Sequence, residues 1–365
     1  MVFILKRQSR LIGERMPYCW KCGTLVEEDA KFCPKCGTVV SSAPAGAKQR
    51  IEKPRRRPLG FVAIVLISIL VVAVIVAAFF LLPVRTVNAS ESRSISYQAG
   101  VENLDLRFRA DVSGVNITFE ELDNAIATVN VSAIGGAGVF ALPDLFNLTL
   151  DYTVRDRVMN ATIDIDTFGG GWPWHPWLHI NCDVRIDPSV RVGLNVKTGV
   201  GKILVKTEHG VIFDALNLEA VTGGVRADLT EDVVIGGNVS VRTVTGGTEL
   251  LWENVVVNGN TIVNLMTTTG GIAADIRQAA MLSSNVTLNA HATTGGISFA
   301  IEIRGHIGAK IESATTLGGV DVDRQVGFSG TKSPLQSNNY PDDTNIEATL
   351  ETTTGGVGID AKYNP

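Results

Sequence analysis

The chain contains no serine elbow, no phosphate-cradling glycine loop and no paired catalytic carboxylates, so nothing in it makes a positive case for catalysis. Its five histidines, His175, His179, His209, His291 and His306, fall in no metal-ligand spacing. Cysteine is scarce too. Of five in 365 residues, four fall within one 18-residue window, and the fifth, Cys182, reads as a small buried apolar residue. Charged residues make up only 19% against 45% apolar, a balance that excludes disorder and allows two or more folded domains. Tryptophan is rare as well, and three of the five crowd into Gly170-Gly171-Trp172-Pro173-Trp174-His175-Pro176-Trp177. Trp172, Trp174 and Trp177 are candidates for a ligand loop that stacks on sugar rings or sits at a membrane interface; the alternative is a plug on the open end of a repeat array.

Glycine, by contrast, is plentiful at 37 residues, and with a Val/Ile/Thr-rich texture it points to β structure with many tight turns. The net charge of −5 hides an asymmetry: residues 1–60 carry 13 Lys/Arg against 5 Asp/Glu, residues 61–365 carry 19 against 32. The boundary is the run Phe61–Leu82, which has no charge and only Ser68 as a polar side chain. Its length suits a membrane-spanning helix, here placed at 59–82, and Arg55, Arg56 and Arg57 just before it predict a cytoplasmic N-terminus and an exterior C-terminal region. A cleaved signal peptide, with Val87-Asn88-Ala89 as its site, is the competing reading; the long run and the 60 residues before it favour an uncleaved anchor. Residues 41–58 read as a basic flexible linker, where Lys48 to Arg57 set orientation and meet anionic headgroups. Nucleic acid is an unfavoured partner for them.

Cys19-Trp20-Lys21-Cys22-Gly23 and Cys33-Pro34-Lys35-Cys36-Gly37 are two CxxC knuckles. Each brings two soft ligands to one side of a tight bend, so Cys19, Cys22, Cys33 and Cys36 together suit one structural zinc ion; two disulfides are the alternative. The segment 17–40 resembles the small zinc-ribbon heads of archaeal and bacterial membrane proteins. That resemblance suits a start at Met16, leaving residues 1–16 as an over-extended or disordered lead. A ribbon this short needs its metal to fold and would act by docking a cytoplasmic protein partner or, as the basic neighbouring segment also allows, by nucleic-acid contact.

Seven tetrads punctuate the C-terminal half: Thr198-Gly199-Val200-Gly201, Thr222-Gly223-Gly224-Val225, Thr245-Gly246-Gly247-Thr248, Thr269-Gly270-Gly271-Ile272, Thr294-Gly295-Gly296-Ile297, Leu317-Gly318-Gly319-Val320 and Thr354-Gly355-Gly356-Val357. Their first glycines are 24, 23, 24, 25, 23 and 37 residues apart, the mark of one stacked unit. Apolar residues alternate before each tetrad, as in Leu216, Leu218 and Ala220, and resume after it, as in Val225, Ala227 and Leu229. With Thr222 and Val225 both expected inside, the glycine pair must be a corner that resets the strand phase. Third apolar runs, Val233 to Ile235 or Val255 to Val257, complete three short strands per unit and predict a mainly β, solenoid-like domain over 191–365. Glycine pairs also make hairpin turns, so an antiparallel meander or sandwich is the alternative. Residues 83–190 are expected to form irregular first rungs or a cap, and Gly327 to Asp343 a loop inserted between rungs.

The repeated Thr-x-Gly-Gly-(Val/Ile) rungs resemble the putative-adhesin β-repeat family of bacteria and archaea, over roughly Val192 to Asp360. The resemblance implies adhesion or recognition of an unknown surface ligand, glycan or protein. A transmembrane sensor or regulator and an envelope polysaccharide-acting enzyme are the competing functions. Asp228, Asp275, Asp323 and Asp360 share the fifth position after the first glycine and read as a solvated acidic face rather than a calcium column, because Leu251 and Ala300 interrupt them. Sequons at Asn88, Asn116, Asn130, Asn147, Asn160, Asn238 and Asn285 all follow the apolar run and agree with an exterior location.

Overall fold

The computed structural model describes residues 18–27, 30–40, 59–81, 85–137, 146–167, 177–207, 210–230 and 232–365. The chain divides into two compact units, 1–70 and 71–365. The expected lead and the basic linker lie outside the described residues, as do Trp172, Trp174, His175 and His209; Trp177 is described by its backbone alone.

The ribbon repeats one motif twice. Tyr18 bridges Leu25 and Phe32 bridges Val39 across each knuckle, while Gly23 and Gly37, both at φ +69°, turn the chain after the second cysteine. The apolar run forms one helix, α1 (Leu59–Leu81), 23 residues long. Its one hydroxyl, Ser68 Oγ, donates to Ile64 O at 2.8 Å and so is satisfied within the helix. Side chains along it are described over 63–77 only, and among the described residues no helix is long and apolar enough to cross a membrane.

Every described element after α1 is a β-strand. The first strands are β1 (Arg85–Ser96), β2 (Asn103–Val112), β3 (Gly114–Phe119), β4 (Ala125–Ala137), β5 (Phe146–Arg155), β6 (Val158–Thr167) and β7 (Trp177–Ile186). The tetrad region continues with β8 (Arg191–Val200), β9 (Ile203–Lys206), β10 (Ile212–Thr222), β11 (Val225–Leu229), β12 (Val234–Ile235), β13 (Val239–Thr245), β14 (Thr248–Glu253), β15 (Val256–Val257), β16 (Thr261–Thr269) and β17 (Ile272–Gln278). It ends with β18 (Val286–Thr294), β19 (Ile297–Arg304), β20 (Ile307–Leu317), β21 (Val320–Val326), β22 (Phe328–Ser329), β23 (Leu335–Ser337), β24 (Thr344–Thr354) and β25 (Val357–Asn364).

These strands form two sheets of 11 and 14 strands around one apolar core. Strands on either side of a glycine pair do not pair with each other: β10, β13, β16 and β18 lie in the larger sheet, and β11, β14, β17 and β19 in the smaller. Successive units pair in parallel and in register, so the hairpin reading of the glycine pair does not hold. Leu194, Leu216, Val239, Val263 and Leu288 align as one buried column. Asn195, Asn217, Ser240, Asn264 and Asn289 align beside it on the outer face. The third runs appear as β12 and β15, which pair with each other. Each turn of chain cannot bury its inner face alone, and stacking supplies the missing cover.

Two details of the corner differ from the sequence expectation. The tetrad Thr faces solvent at Thr222, Thr245, Thr269, Thr294 and Thr354; the inward position is two residues earlier, a hydroxyl at Thr243, Thr267 and Thr352 and a methyl at Ala220 and Ala292. Thr243 and Thr267 each donate to Gly246 O at 3.0 Å, and Thr352 donates to Gly295 O at 2.9 Å. The corner brings backbone against backbone, so the space inside it is filled from the preceding inward position. The first tetrad is also offset, because Val200, not Thr198, pairs with Thr222. Gly201, at φ +150°, therefore occupies the corner position that Gly223 fills in the next rung.

Stack order departs from chain order at both ends. β24 lies between β18 and β20, and β25 between β19 and β21, so the last rung in sequence is inserted one place in from the end. At the other end β2 lies between β8 and β6, and β3 between β9 and β7. Residues 85–190 thus supply two true rungs plus the antiparallel strands β1, β4 and β5 that cover them. The segment Gly327 to Asp343 is more than a loop between rungs. Its strands β22 and β23 pair antiparallel, β23 also pairs with β20, and Leu335 is fully buried. The open edge β21 carries a register shift between Val322 and Arg324 and the charges Asp321, Asp323 and Arg324, which blunt it against edge pairing.

Candidate functional site

The four knuckle cysteines converge. Their sulfurs all lie within 4.8 Å of one another, with Cys19 and Cys36 at 3.6 Å and Cys22 and Cys33 at 3.6 Å. Disulfide bonding needs about 2.05 Å, whereas four sulfurs around zinc at Zn–S ~2.3 Å stand about 3.8 Å apart, so the set fits zinc and not two bridges. Cys19 and Cys33 are buried and form the small core with Val26. The turns are fixed by matched bonds, Gly23 N–H to Cys19 O at 2.8 Å and Gly37 N–H to Cys33 O at 2.9 Å. The Thr24 hydroxyl, 3.3 Å from Cys22 Sγ, and then the Thr24 backbone hold the Cys22 thiol down at about 6. Thr38 acts on Cys36 in the same direction. Cys33 goes the other way: against the Lys35 backbone bond, burial and then the Cys36 and Cys22 thiols raise it to about 11, so the thiolates that zinc requires are favoured at Cys22 and Cys36.

The second feature is on the outer face of the smaller sheet. After each glycine pair the residue at the outward position is Arg226, Glu249, Ala273, Ser298, Gly358 and Asp321 in stack order. Three small side chains in succession leave a trough across the rungs. Two adjoining hollows of about 430 and 580 Å³ lie along it, floored by Gly247, Gly271, Gly296, Ala273 and Ser298. Charged pairs line its flank: Arg226 to Asp228 at 2.8 Å and to Glu249 at 3.1 Å, and Arg277 to Asp275 at 2.6 Å. Hydrogen bonding to Asp228 comes first among the influences that raise the Arg226 guanidinium, so it stays charged. The chemistry on offer is fixed charge, hydrogen bonding and a flat floor.

Asp228, Asp275 and Asp360 are partly covered and each is paired with an arginine. Asp228 aligns with Leu251, Asp275 with Ala300, and Ala300 with Asp360; Arg324, displaced by the register shift, takes the place opposite Asp360 and bonds it at 2.7 Å. Asp323 therefore leaves the column. Among the described residues the knuckle cysteines form the one cluster able to hold a metal ion. Cys182 is buried, and burial raises its thiol pKa. His179, His291 and His306 are exposed and apart from these sites. Sequence reasoning missed the trough, although the run of Ala273, Ser298 and Gly358 at one aligned position is visible once the tetrads are superposed.

A family model for the zinc-ribbon domain matches residues 18–40. Residues 18–40 are a zinc-ribbon domain. The ribbon has the four cysteines to bind one zinc ion. No curated protein matches the chain. Among solved structures, a putative cell adhesion protein from Clostridium sporogenes is 15% identical, with 76% of this chain and 100% of that one covered and a TM-score of 0.37. A putative adhesin from Bacteroides fragilis is 12% identical, covering 75% and 97%, TM-score 0.36. Another from Parabacteroides merdae is 11% identical, covering 75% and 96%, TM-score 0.27.

Proposed function

We propose that the chain is a single-pass membrane-anchored surface protein whose exterior β domain, wound as a β-solenoid, recognises or adheres to a surface ligand. The observation that carries this reading is the trough. Its floor is Ala273, Ser298 and three glycines, and its flanking charges pair with one another instead of standing poised to move a proton. Such a face suits reversible contact with an extended polar chain, a glycan or a peptide strand, and the protein is read as a binder rather than an enzyme. Trp172, Trp174 and Trp177 are a second proposed contact loop.

The anchor is α1. The support is in the sequence: the uncharged run Phe61–Leu82 is 22 residues, about 33 Å of helix at ~1.5 Å per residue, against a ~30 Å hydrocarbon core. Arg55 to Arg57 just before it assign the ribbon to the cytoplasm and the β domain to the exterior. Labelling of intact cells with a membrane-impermeant amine reagent tests this: β-domain lysines such as Lys197 and Lys332 react and ribbon lysines do not. The reverse pattern, or a mature product that begins near Ser90, contradicts it.

A sensor or regulator is the second reading. It draws on the ribbon surface, where Tyr18, Trp20 and Phe32 are 62%, 78% and 60% exposed, an aromatic face suited to a cytoplasmic protein partner. Crosslinking from Trp20 in whole cells tests it, with a single recurrent protein adduct expected and no adduct contradicting it.

A further inference from the structure

The fold divides the seven sequon asparagines into two groups. In three, the side chain is part of the architecture. Half-buried Asn116 donates Nδ2 to Asp183 Oδ1 at 3.2 Å. Asn238 Oδ1 accepts the Ile262 N–H at 3.2 Å, and Asn285 Oδ1 accepts the Asn345 N–H at 2.8 Å, each bond joining one rung to another. In the other four, Asn88, Asn130, Asn147 and Asn160, the residue is exposed and its amide makes no hydrogen bond among the described residues. All four lie within strands, so the hydroxyl two positions on, at Ser90, Ser132, Thr149 and Thr162, stands on the same face as the amide.

The four are also grouped in space. Asn88 is on β1, Asn130 on β4, Asn147 on β5 and Asn160 on β6. These are the two outermost strands of each sheet at one end of the stack, and β1 and β5 terminate their sheets there. After Asn160 the remaining sequon asparagines, Asn238 and Asn285, are exposed and hold only their Oδ1 in a bond to another rung.

We propose that Asn88, Asn130, Asn147 and Asn160 carry N-linked oligosaccharide, and that half-buried Asn116, whose Nδ2 is engaged, does not. The inference rests on the exterior placement of the β domain. In the modification, each Nδ2 bonds to the anomeric carbon of a saccharide delivered on a lipid pyrophosphate. The bond from that carbon to the phosphate oxygen breaks, the lipid pyrophosphate leaves with the electron pair, and the amide proton passes to a carboxylate base of the transferase. Nothing is oxidised or reduced. The result covers the end formed by β1, β4, β5 and β6 and leaves the trough open. Modifying Asn116 would consume the Nδ2–H that the fold uses in its bond to Asp183, whereas Asn238 and Asn285 bond through Oδ1.

The test is site-by-site glycopeptide mass spectrometry on the full chain purified from its native membrane, alongside impermeant amine labelling of intact cells. The expected result is a saccharide mass on the four free asparagines and bare peptide at Asn116, with Asn147→Gln lowering the intact mass by one saccharide unit. A domain that labels in intact cells yet is bare at the four sites overturns the inference alone, as does saccharide on Asn116. A domain that labels only after lysis and carries no saccharide overturns the exterior placement and this inference with it.

Discussion

Gly270 packs its Cα against the carbonyl of Gly246 in the preceding rung, at a φ of +142°, and a Cβ there would overlap that oxygen. Gly246 stands the same way against Gly223, and Gly295 against Gly270. The second glycine of each pair has no such constraint, for a Cβ on Gly247 would come to 3.7 Å from Gly271 O. Gly246→Ala therefore costs roughly 3 kcal/mol or more through backbone strain and overlap, whereas Gly247→Ala costs about 1 kcal/mol or less. Denaturant melts of the two variants check this, and equal losses would contradict the corner geometry.

Trp252 is buried in the core and donates its indole N–H to Gln278 Oε1 at 3.1 Å, while Gln278 donates to Ala280 O at 2.8 Å. Gln278→Leu leaves the indole donor unpaired in an apolar setting and costs about 1–3 kcal/mol. Adding Trp252→Phe removes the orphan, so the double variant loses less than the sum of the two single changes. Additive losses in a double-mutant cycle would rule out the coupling.

Inserting β24 and β25 one place in from the end has a direct consequence. β20 pairs only with β24 and β23, and β21 only with β25. A chain ending at residue 343 therefore loses its hold on residues 307–337 as well and bares the edges of β18 and β19. Hydrogen exchange should show full loss of protection across β20 to β23 and self-association of the remainder. Retained protection in β20 would contradict the stack order.

The insertion carries a titratable tie. Glu302 on β19 accepts from Lys362 at 3.0 Å and from Asn364 at 3.0 Å on β25, and Arg304 adds to the cluster at 3.2 Å. Hydrogen bonding from Lys362, then Arg304, lowers the Glu302 pKa below the ordinary 4.5. A lowered carboxylate contributes stability that is present above its unfolded-state value and lost as pH falls through the folded value. Exchange protection of β25 should fall as pH drops below about 4.5, and Glu302→Gln should flatten that dependence. An unchanged dependence in the variant would show that Glu302 is not responsible.

Much of this was legible in the sequence, because period-two alternation and a fixed repeat are local signals. The inward column Leu216, Leu218 and Ala220, the corner at Gly223 and the zinc set Cys19, Cys22, Cys33 and Cys36 follow from spacing alone. The tetrad Thr was misplaced because alternation cannot say where a strand begins to bend. Thr243 and Thr245 look alike in sequence, but only Thr243 points inward and finds a glycine carbonyl. The inserted last rung was illegible for a different reason: a step of 37 residues fixes how much chain is available, not which neighbour it pairs with. The trough is made of side chains that are missing, and small residues give no motif.

Zinc and the β domain should respond separately to chelation. Stripping the metal leaves the ribbon with a core of Cys19, Val26 and Cys33, too small to fold. Amide signals from 18–40 should collapse under a strong chelator and return with zinc, while those from 85–365 stay unchanged. Retention of ribbon structure without metal would contradict the structural role.

Ser298 tests the central claim most directly. It lies exposed on the trough floor between Ala273 and Gly358, so a large side chain there fills the hollow without touching the core. Binding of the full chain, held in bilayer discs, to envelope glycans and to whole cells should be measured for the native protein and for Ser298→Arg, with product release followed in the same samples. The account predicts saturable binding without turnover and at least a tenfold weaker affinity in the variant at unchanged melting temperature. Turnover of the glycan, or undiminished binding by Ser298→Arg, would contradict it.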